Sequence, residues 1–190
     1  MNVMIVTPPF NILKEGYGTK AKGRYGYWPP LGPGYLAASL KRAGHRVTFI
    51  DSAAEQRDSD WVAHYISKVY PVIDVVMISA LTANKDSAYD LVRKIKKKNP
   101  ALPIIMGGPH TTCFPDDTMN DLPMLDAVCI GEGEQVVVEI VNNLEKKESL
   151  FGIRGILFRK GEEVIRNPTR EAVINIDDLP APDWTIYDMN

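Results

Sequence analysis

Four short stretches of the sequence carry the groups best suited to hold a ligand, and each stretch directly follows an apolar run. These stretches are residues 7–10, 79–82, 107–110 and 131–134. The last three of them supply two hydroxyl groups, two carboxylates and four glycines with approachable backbone: Ser79, Thr82, Glu132, Glu134, Gly107, Gly108, Gly131 and Gly133. Neutral hydrogen-bonding groups on a glycine-lined rim favour a bulky ligand that carries amide groups over a multiply charged phosphate ester.

Several other site chemistries are excluded by what these stretches lack. No G-x-G-x-x-G follows the first apolar run and no Walker A motif occurs, so the usual phosphate-binding loops are missing. The first run leads into Thr7-Pro8-Pro9, whereas a phosphorelay receiver would have paired acids there. Cys113 and Cys129 are too few and too far apart for a zinc knuckle, an iron–sulfur loop or a disulfide framework.

The elements that must position these stretches alternate along the chain. Unbroken apolar runs predict five strands buried on both faces, at residues 3–6, 46–50, 74–78, 104–106 and 126–130. Apolar stripes predict helices at residues 35–43, 62–69, 88–95 and 137–144. This alternation predicts a doubly wound α/β domain over residues 1–148, with a Rossmann-like or flavodoxin-like five-stranded parallel sheet. Such sheets bind ligands beyond the carboxyl ends of their strands, where the four stretches would meet.

Two segments depart from this alternation. Residues 11–34 contain six glycines and three prolines without periodicity, which predicts a long loop, either a functional lid or a disordered segment. In residues 149–190, two apolar runs at 155–158 and 164–166 flank Gly161 and predict a β-hairpin. The acidic, proline-containing stretch 177–184 then predicts an extended linker.

Composition excludes two classes of partner. The net charge of −2 comes from interspersed acids and bases, so no basic surface for nucleic acid or an anionic membrane is expected. No apolar run approaches the roughly 18 residues that span a bilayer. The chain also enters its first strand without a basic leader, which favours a cytoplasmic location.

Basic and imidazole side chains outside the four stretches receive structural interpretations. The lysines at 94 and 96–98 end a predicted helix and are expected to be solvated there, since they suit the negative end of the helix dipole. His45 and His64 are predicted to be surface groups. His110 stays ambiguous between a loop residue and a ligand-approaching group.

A family resemblance becomes visible in the loop residues. Ser79-Ala80-Leu81 and Gly107-Gly108 resemble the S-x-L and GG elements of cobalamin-binding domains. Four longer stretches match more particularly: Pro30-Leu31-Gly32-Pro33-Gly34-Tyr35-Leu36-Ala37, Gly107-Gly108-Pro109-His110, Gly131-Glu132-Gly133-Glu134 and Asp178-Leu179-Pro180-Ala181-Pro182. Together they resemble the N-terminal domain of cobalamin-dependent radical S-adenosylmethionine enzymes over nearly the whole chain.

This resemblance implies a cofactor, its contacts and a partner domain. The dimethylbenzimidazole tail of cobalamin would enter a slot beside the sheet, close to the serine. The implied contact residues are Thr7, Pro8, Pro9, Leu31, Gly32, Ser79, Leu81, Thr82, Gly107, Gly108, Pro109, Gly131, Glu132 and Gly133. The parent enzyme would add a radical S-adenosylmethionine barrel with a [4Fe-4S] cluster and perform methyl transfer or related radical chemistry.

Two family motifs are absent. The D-x-H-x-x-G motif, whose histidine would be a lower cobalt ligand, does not occur, which implies base-off cobalamin without a histidine from that loop. No C-x-x-x-C-x-x-C is present, so the chain is expected to bind the cofactor without making a radical. A stand-alone corrinoid carrier or sensor is the alternative. A flavodoxin-like binder of another ligand is a third hypothesis, although a flavin would need a hydroxyl-rich phosphate loop after strand one.

Overall fold

A computed structural model of the protein describes residues 1–10, 29–70, 72–171 and 175–187. Its centre is a seven-stranded sheet in the order β2-β1-β3-β4-β5-β6-β7. The strands are β1 (Asn2–Thr7), β2 (Arg46–Asp51), β3 (Val75–Ser79), β4 (Ile104–Gly107), β5 (Ala127–Cys129), β6 (Ile156–Lys160) and β7 (Glu163–Arg166). The helices are α1 (Leu31–Arg42), α2 (Ser59–Val69), α3 (Lys85–Lys98), α4 (Pro109–Cys113), α5 (Pro115–Asp121) and α6 (Val136–Lys146).

The first five strands are parallel, as the apolar runs predicted. Their order, with β1 between β2 and β3, is the flavodoxin-like one. The hairpin also forms where it was predicted, but it is not a separate appendage. β6 pairs antiparallel with β5 through Ala127↔Phe158, and β7 pairs with β6. The hairpin therefore covers the unpaired backbone groups of β5, which an isolated edge strand would leave open.

Helices cover both faces of the sheet. Successive residues of a strand point alternately into the two hydrophobic cores, one on each face. Val76 and Ile78 of β3 belong to the core beneath α2 and α3. Val75 and Met77 of the same strand belong to the core beneath α1 and α6. β1, β3, β4 and β5 are apolar almost throughout because both of their faces are buried. β2 was predicted to be buried in the same way, but it is the edge strand and exposes Arg46 and Thr48.

Helix α1 begins at Leu31, four residues before the predicted start, so residues 31–34 belong to a helix and not to the predicted loop. Pro33 lies within the first turn, where its missing N–H would have had no partner in the helix. The rest of the predicted loop, residues 11–28, lies outside the described residues, and so does the choice between lid and disorder.

Two residues expected at the surface are buried near the amino ends of the strands. Lys96, from the lysine run, is only 8% exposed, and its Nζ lies 2.7 Å from Asp126 Oδ2. His45 is 6% exposed and its Nε2 lies 3.0 Å from Asn142 Oδ1. Each was misjudged because its partner is distant in the sequence and only the folded sheet brings the two together. His64 is exposed, as predicted.

The C-terminal linker lies along α1. Arg42 donates to the Asp178 carbonyl at 3.0 Å, and Lys41 pairs with Asp183. A Cβ at Gly34 would lie 2.9 Å from the Tyr187 hydroxyl, so this glycine allows the close approach of the linker. The segment 175–187 therefore returns the chain to the N-terminal end of α1.

None of the helices in the described part of the chain is long and apolar enough to cross a membrane.

Candidate functional site

A cavity of about 200 Å³ opens at the carboxyl ends of the parallel strands, between the sheet and helices α1 and α6. The residues that line it are Ile5, Gly32, Leu36, Met77, Ile78, Ser79, Ile105, Gly107, Gly108, Pro109, Cys129, Gly131, Glu132, Gly133, Glu134 and Val137. Three of the four loop stretches contribute to its wall. The cavity lies where the topology of an open α/β sheet places ligands.

The register of the sheet arranges the lining residues in two rows. Ser79 pairs with Gly107 at the ends of β3 and β4, which places them in the upper row near the mouth. One row deeper, Met77 lies between Ile5 and Ile105 in the ladder. Since Gly107 has no side chain, the upper row is interrupted above this apolar floor. The cavity is therefore a slot that leads from a partly polar mouth to an apolar interior.

The two consecutive glycines, Gly107 and Gly108, have different structural roles. Gly108 has a φ of 99°, and a Cβ there would lie 2.7 Å from the Ala80 carbonyl oxygen, so a side chain is excluded by the backbone. A Cβ at Gly107 would meet only the Cβ of Cys129, at an ordinary 3.7 Å. Gly108 is thus required by the packing of two loops, whereas Gly107 leaves open the space that becomes the slot.

One polar group at the slot lacks a protein partner among the described residues. Glu134 Oε2 is buried there without a hydrogen bond, and Ser79 also lines the slot. A buried acceptor without a partner costs on the order of 1–3 kcal/mol relative to a satisfied one. Glu134, a residue of the slot wall, thus holds a carboxylate oxygen that no protein group among the described residues uses.

The slot brings together eight of the predicted contact residues, which are Gly32, Ser79, Gly107, Gly108, Pro109, Gly131, Glu132 and Gly133. Thr7, Pro8, Pro9, Leu31, Leu81 and Thr82 do not line it. Thr7 Oγ1 instead donates to Asp51 Oδ1 at 3.0 Å, and Leu81 is 46% exposed. These six residues surround the sheet edge without bordering the slot.

Sequence reasoning missed the apolar interior of the slot: Ile5, Leu36, Met77, Ile78, Ile105, Cys129 and Val137. A usable pattern was present, because residues two positions before a strand's polar end face the same side of the sheet. Met77 stands in this relation to Ser79, and Ile105 to Gly107. Which face carries the slot depends on where α1 and α6 pack.

His110 is buried on the opposite side of this edge and joins two loops. Its Nε2 lies 3.0 Å from the Tyr89 hydroxyl, which donates to Thr118 Oγ1, and its Nδ1 lies 3.3 Å from Thr82 Oγ1. Burial lowers the pKa of His110 and raises that of Tyr89. A neutral imidazole on α4 therefore ties the start of this helix to the segment after β3, so His110 has a structural role but lies in a helix and not in the predicted loop.

The two cysteines are unpaired thiols in contrasting environments. Cys129 lines the slot, and burial raises the pKa of its thiol to about 12, so the group is neutral at pH 7. Cys113 is exposed at the end of α4. Within the described ranges, no group of three or more His, Cys, Asp or Glu residues could hold a metal ion.

The chain resembles known proteins in sequence and in fold. The family model of the B12 binding domain matches residues 21–141. Over 191 aligned residues the chain is 36% identical to an uncharacterized methyltransferase, PH0819, of Pyrococcus horikoshii. That alignment includes 100% of this chain and 39% of the relative, so the chain spans about two fifths of the relative's length.

Two solved structures have the same fold. One is the cobalamin-dependent S-adenosylmethionine radical enzyme OxsB with aqua-cobalamin and S-adenosylmethionine bound, with a TM-score of 0.75 and 21% identity over 97% of this chain and 24% of OxsB. The other is the methyltransferase TsrM from Kitasatospora setae with cobalamin and a [4Fe-4S] cluster bound, with a TM-score of 0.72 and 14% identity over 97% of this chain and 32% of TsrM. These likenesses confirm the predicted fold class.

Proposed function

The chain belongs to the B12-binding domain family, and we propose that it is the cobalamin-binding domain of a radical S-adenosylmethionine enzyme. The observation that carries this proposal is the slot at the carboxyl edge of the sheet. Its polar mouth and apolar interior suit a ligand with an amide-fringed body and a flat aromatic tail.

The residues of the slot fit such a group. Gly107 leaves room for a ring to pass between Ser79 and Cys129, and the deeper row offers only apolar side chains to it. The unpartnered Oε2 of Glu134 can accept a hydrogen bond from an amide N–H or a ribose hydroxyl of the cofactor. Burial of the flat tail would remove apolar surface from water, which favours binding by about 25 cal/mol for each Å² buried.

The chain's own residues bind and orient the cofactor in this proposal. When bound, cobalamin supplies a cobalt centre that carries methyl groups or electrons. Leu36 and Val137, from α1 and α6, form the wall opposite the sheet and hold the tail against it. The backbone of Gly108, Gly131 and Gly133 permits close approach at the mouth. The implied contacts that do not line the slot are proposed to meet the corrin body above the edge.

The cofactor is proposed to bind base-off, without a histidine ligand from this chain. All three histidines lie in the described part of the chain, and none of them borders the slot. His110 is occupied with Tyr89 and Thr82 on the other side of the edge. A tail that enters the slot leaves the lower face of cobalt to other ligands.

The following domain is proposed to be a radical S-adenosylmethionine barrel with a [4Fe-4S] cluster, in the same parent chain. The linker supports this arrangement, because its contacts with α1 bring Tyr187 within 2.5 Å of the Pro30 carbonyl, next to the edge of the slot. The methyltransferase name of the Pyrococcus relative favours methyl transfer as the parent reaction. Residues 1–148 would then form the binding domain, and residues 149–190 the hairpin and linker.

A stand-alone corrinoid carrier is the second candidate. A carrier would still bind cobalamin in the slot, but a separate protein would contact its upper face. For either candidate we propose a cytoplasmic location, in keeping with the two free thiols.

The test is to mix the purified chain with hydroxocobalamin, remove free cofactor by desalting and record the visible spectrum of the protein fraction. We expect cobalamin to co-elute with a base-off spectrum. A retained but base-on spectrum would keep the ligand and refute the tail in the slot. Loss of all cobalamin on desalting would refute the proposed function. The spectrum is then recorded again after a radical S-adenosylmethionine domain has been added as a separate protein. A changed spectrum would favour the stand-alone carrier, whose bound cofactor a separate protein contacts.

A further inference from the structure

We propose that the slot selects corrinoids by their lower base, accepting a benzimidazole and rejecting a purine, and that Cys129 is a specificity-determining residue. The inference rests on the proposed function, because it assumes that the tail of a corrinoid enters the slot. It goes beyond that function by naming which corrinoids the chain takes.

The floor of the slot is built from apolar side chains. Met77 is 4% exposed and Ile105 2%, and they lie beside each other in the β3–β4 ladder with Ile5 on the far side of Met77. None of these three side chains carries a hydrogen-bonding N–H or O–H group. A base that reaches this depth is therefore surrounded by groups that cannot replace its bonds to water.

The two classes of base differ in what they bring to this floor. The outer ring of dimethylbenzimidazole is a benzene ring with two methyl groups, so it loses no hydrogen bond on entry. The corresponding ring of adenine carries ring nitrogens and an exocyclic amine. Each of these polar groups would be buried without a partner, a loss that weakens binding even when the shape fits. The slot thus distinguishes two flat bases of similar size by their polar atoms.

Cys129 is the side chain at which this distinction is most easily changed. It lines the slot beside Gly107, at 4% exposure, and its thiol is a weak hydrogen-bond donor. A serine at this position would have nearly the same shape but a strong donor and acceptor. Cysteine therefore keeps the passage to the floor apolar where serine would make it polar.

The polar groups of the slot are confined to its mouth, which sharpens the selection. Ser79 belongs to the upper row, and Glu134 lies beyond the strands on the approach to α6. Both can bond to the body or the ribose of any corrinoid, whichever base it carries. They contribute to affinity for all corrinoids, whereas the floor and Cys129 separate one base from another.

The experiment compares three probes on the purified chain: cobalamin, its adenine-tailed analogue and cobinamide, which has no nucleotide tail. Dissociation constants are measured by absorbance or isothermal titration. We expect the adenine-tailed probe to bind about 10- to 100-fold more weakly than cobalamin, with cobinamide also weaker. Cys129→Ser is expected to narrow the ratio between the two tailed probes by about 3- to 10-fold. The matched control Cys113→Ser changes an exposed cysteine outside the slot and leaves the ratio as it is.

Met77→Gln is a second variant, since it adds an amide to the floor with a similar chain length, and it also should narrow the ratio. Thermal unfolding verifies that each variant is folded.

Equal affinity for the two tailed probes would overturn the inference while the proposed function stands. Cobinamide binding as tightly as cobalamin would overturn it as well, because the tail would contribute nothing. If both variants fold and leave the ratio unchanged, the assignment to Cys129 and the floor is wrong. Binding of none of the three probes would refute the proposed function itself.

Discussion

The two edges of the parallel sheet use polar groups in opposite ways. At the amino edge, Asp126 Oδ2 accepts from the Ile104 N–H at 2.7 Å and pairs with Lys96 at 2.7 Å. Asp74 accepts from the Asn2 N–H at 2.6 Å. These carboxylates satisfy backbone groups where strands begin, and their partners come from within the chain.

At the carboxyl edge, the slot side leaves a comparable group open. Glu134 Oε2 is buried without a partner among the described residues, and Gly107 contributes an empty position where neighbouring strands carry side chains. An unsatisfied buried group lowers stability, and so does an unfilled cavity. The chain thus tolerates an open acceptor and an empty position beside the slot. The difference teaches that the amino edge holds the sheet together, whereas the carboxyl edge is shaped for a ligand.

The largest expected effect is on the carboxyl edge. Gly107→Leu fills the mouth of the slot, so we expect affinity for hydroxocobalamin to fall at least about 100-fold, since the tail loses its space. Stability should stay within about 1 kcal/mol of wild type, because a Cβ at residue 107 has only an ordinary 3.7 Å neighbour. Spectroscopic titration measures the affinity and urea unfolding the stability.

The control for this variant is Met106→Leu, a volume-conserving change that introduces the same side chain on the opposite face of β4. It should leave cobalamin binding unaffected. Unchanged binding by Gly107→Leu would break the comparison, since the empty position would then serve no ligand.

A smaller effect is expected at the amino edge, on stability. Asp126→Ala leaves Lys96 buried without its partner and removes the acceptor for the Ile104 N–H. Because the Asp126 side chain is 42% exposed, we expect a loss of about 2 kcal/mol, less than for a fully buried pair. Urea unfolding measures this loss, and cobalamin affinity of the folded protein should not change.

Asp90→Ala is the control for the ion pair, because Asp90 pairs with Lys94 on an exposed helix surface. Its expected cost is below about 0.5 kcal/mol. A similar cost for both substitutions would mean that the amino edge is not specially stabilised by Asp126.

The smallest effect concerns pH and the buried side of the carboxyl edge. Burial, together with Lys85, lowers the pKa of His110 below its ordinary value of 6.5. The unfolded chain therefore binds a proton more readily than the folded one, and the free energy of unfolding should decrease as the pH falls below about 6.5. One proton limits the slope to about 1.4 kcal/mol per pH unit. Urea unfolding between pH 5 and 8, roughly the range in which histidine titrates, measures the slope.

His110→Gln removes the titrating group and should flatten this dependence, at some cost in stability from its lost contacts. His64→Gln, on an exposed surface of α2, should leave the slope intact. A slope that survives in the His110 variant would assign the pH dependence to other groups.

Much of the fold follows from local pattern. The apolar stripe of Ala88, Leu91, Val92 and Ile95 predicted α3, and all four residues are buried in it. The runs of four or five apolar residues predicted parallel strands, because only strands covered on both faces lack polar alternation. The start of α1 was wrong by four residues, since Pro33 and its glycines also suit a loop.

The sequence by itself determined the alternation of the five parallel strands with four helices, and therefore the edge at which the residues 79–82, 107–110 and 131–134 meet, but it did not predict α4 and α5. The alternation and the edge are both consequences of spacing along the chain. Only the tertiary structure decided that Met77 and Ile105 form the floor of a slot and that Lys96 lies against Asp126. Those neighbours come from different strands and helices, and the register and helix packing that join them are not recorded in any local stretch.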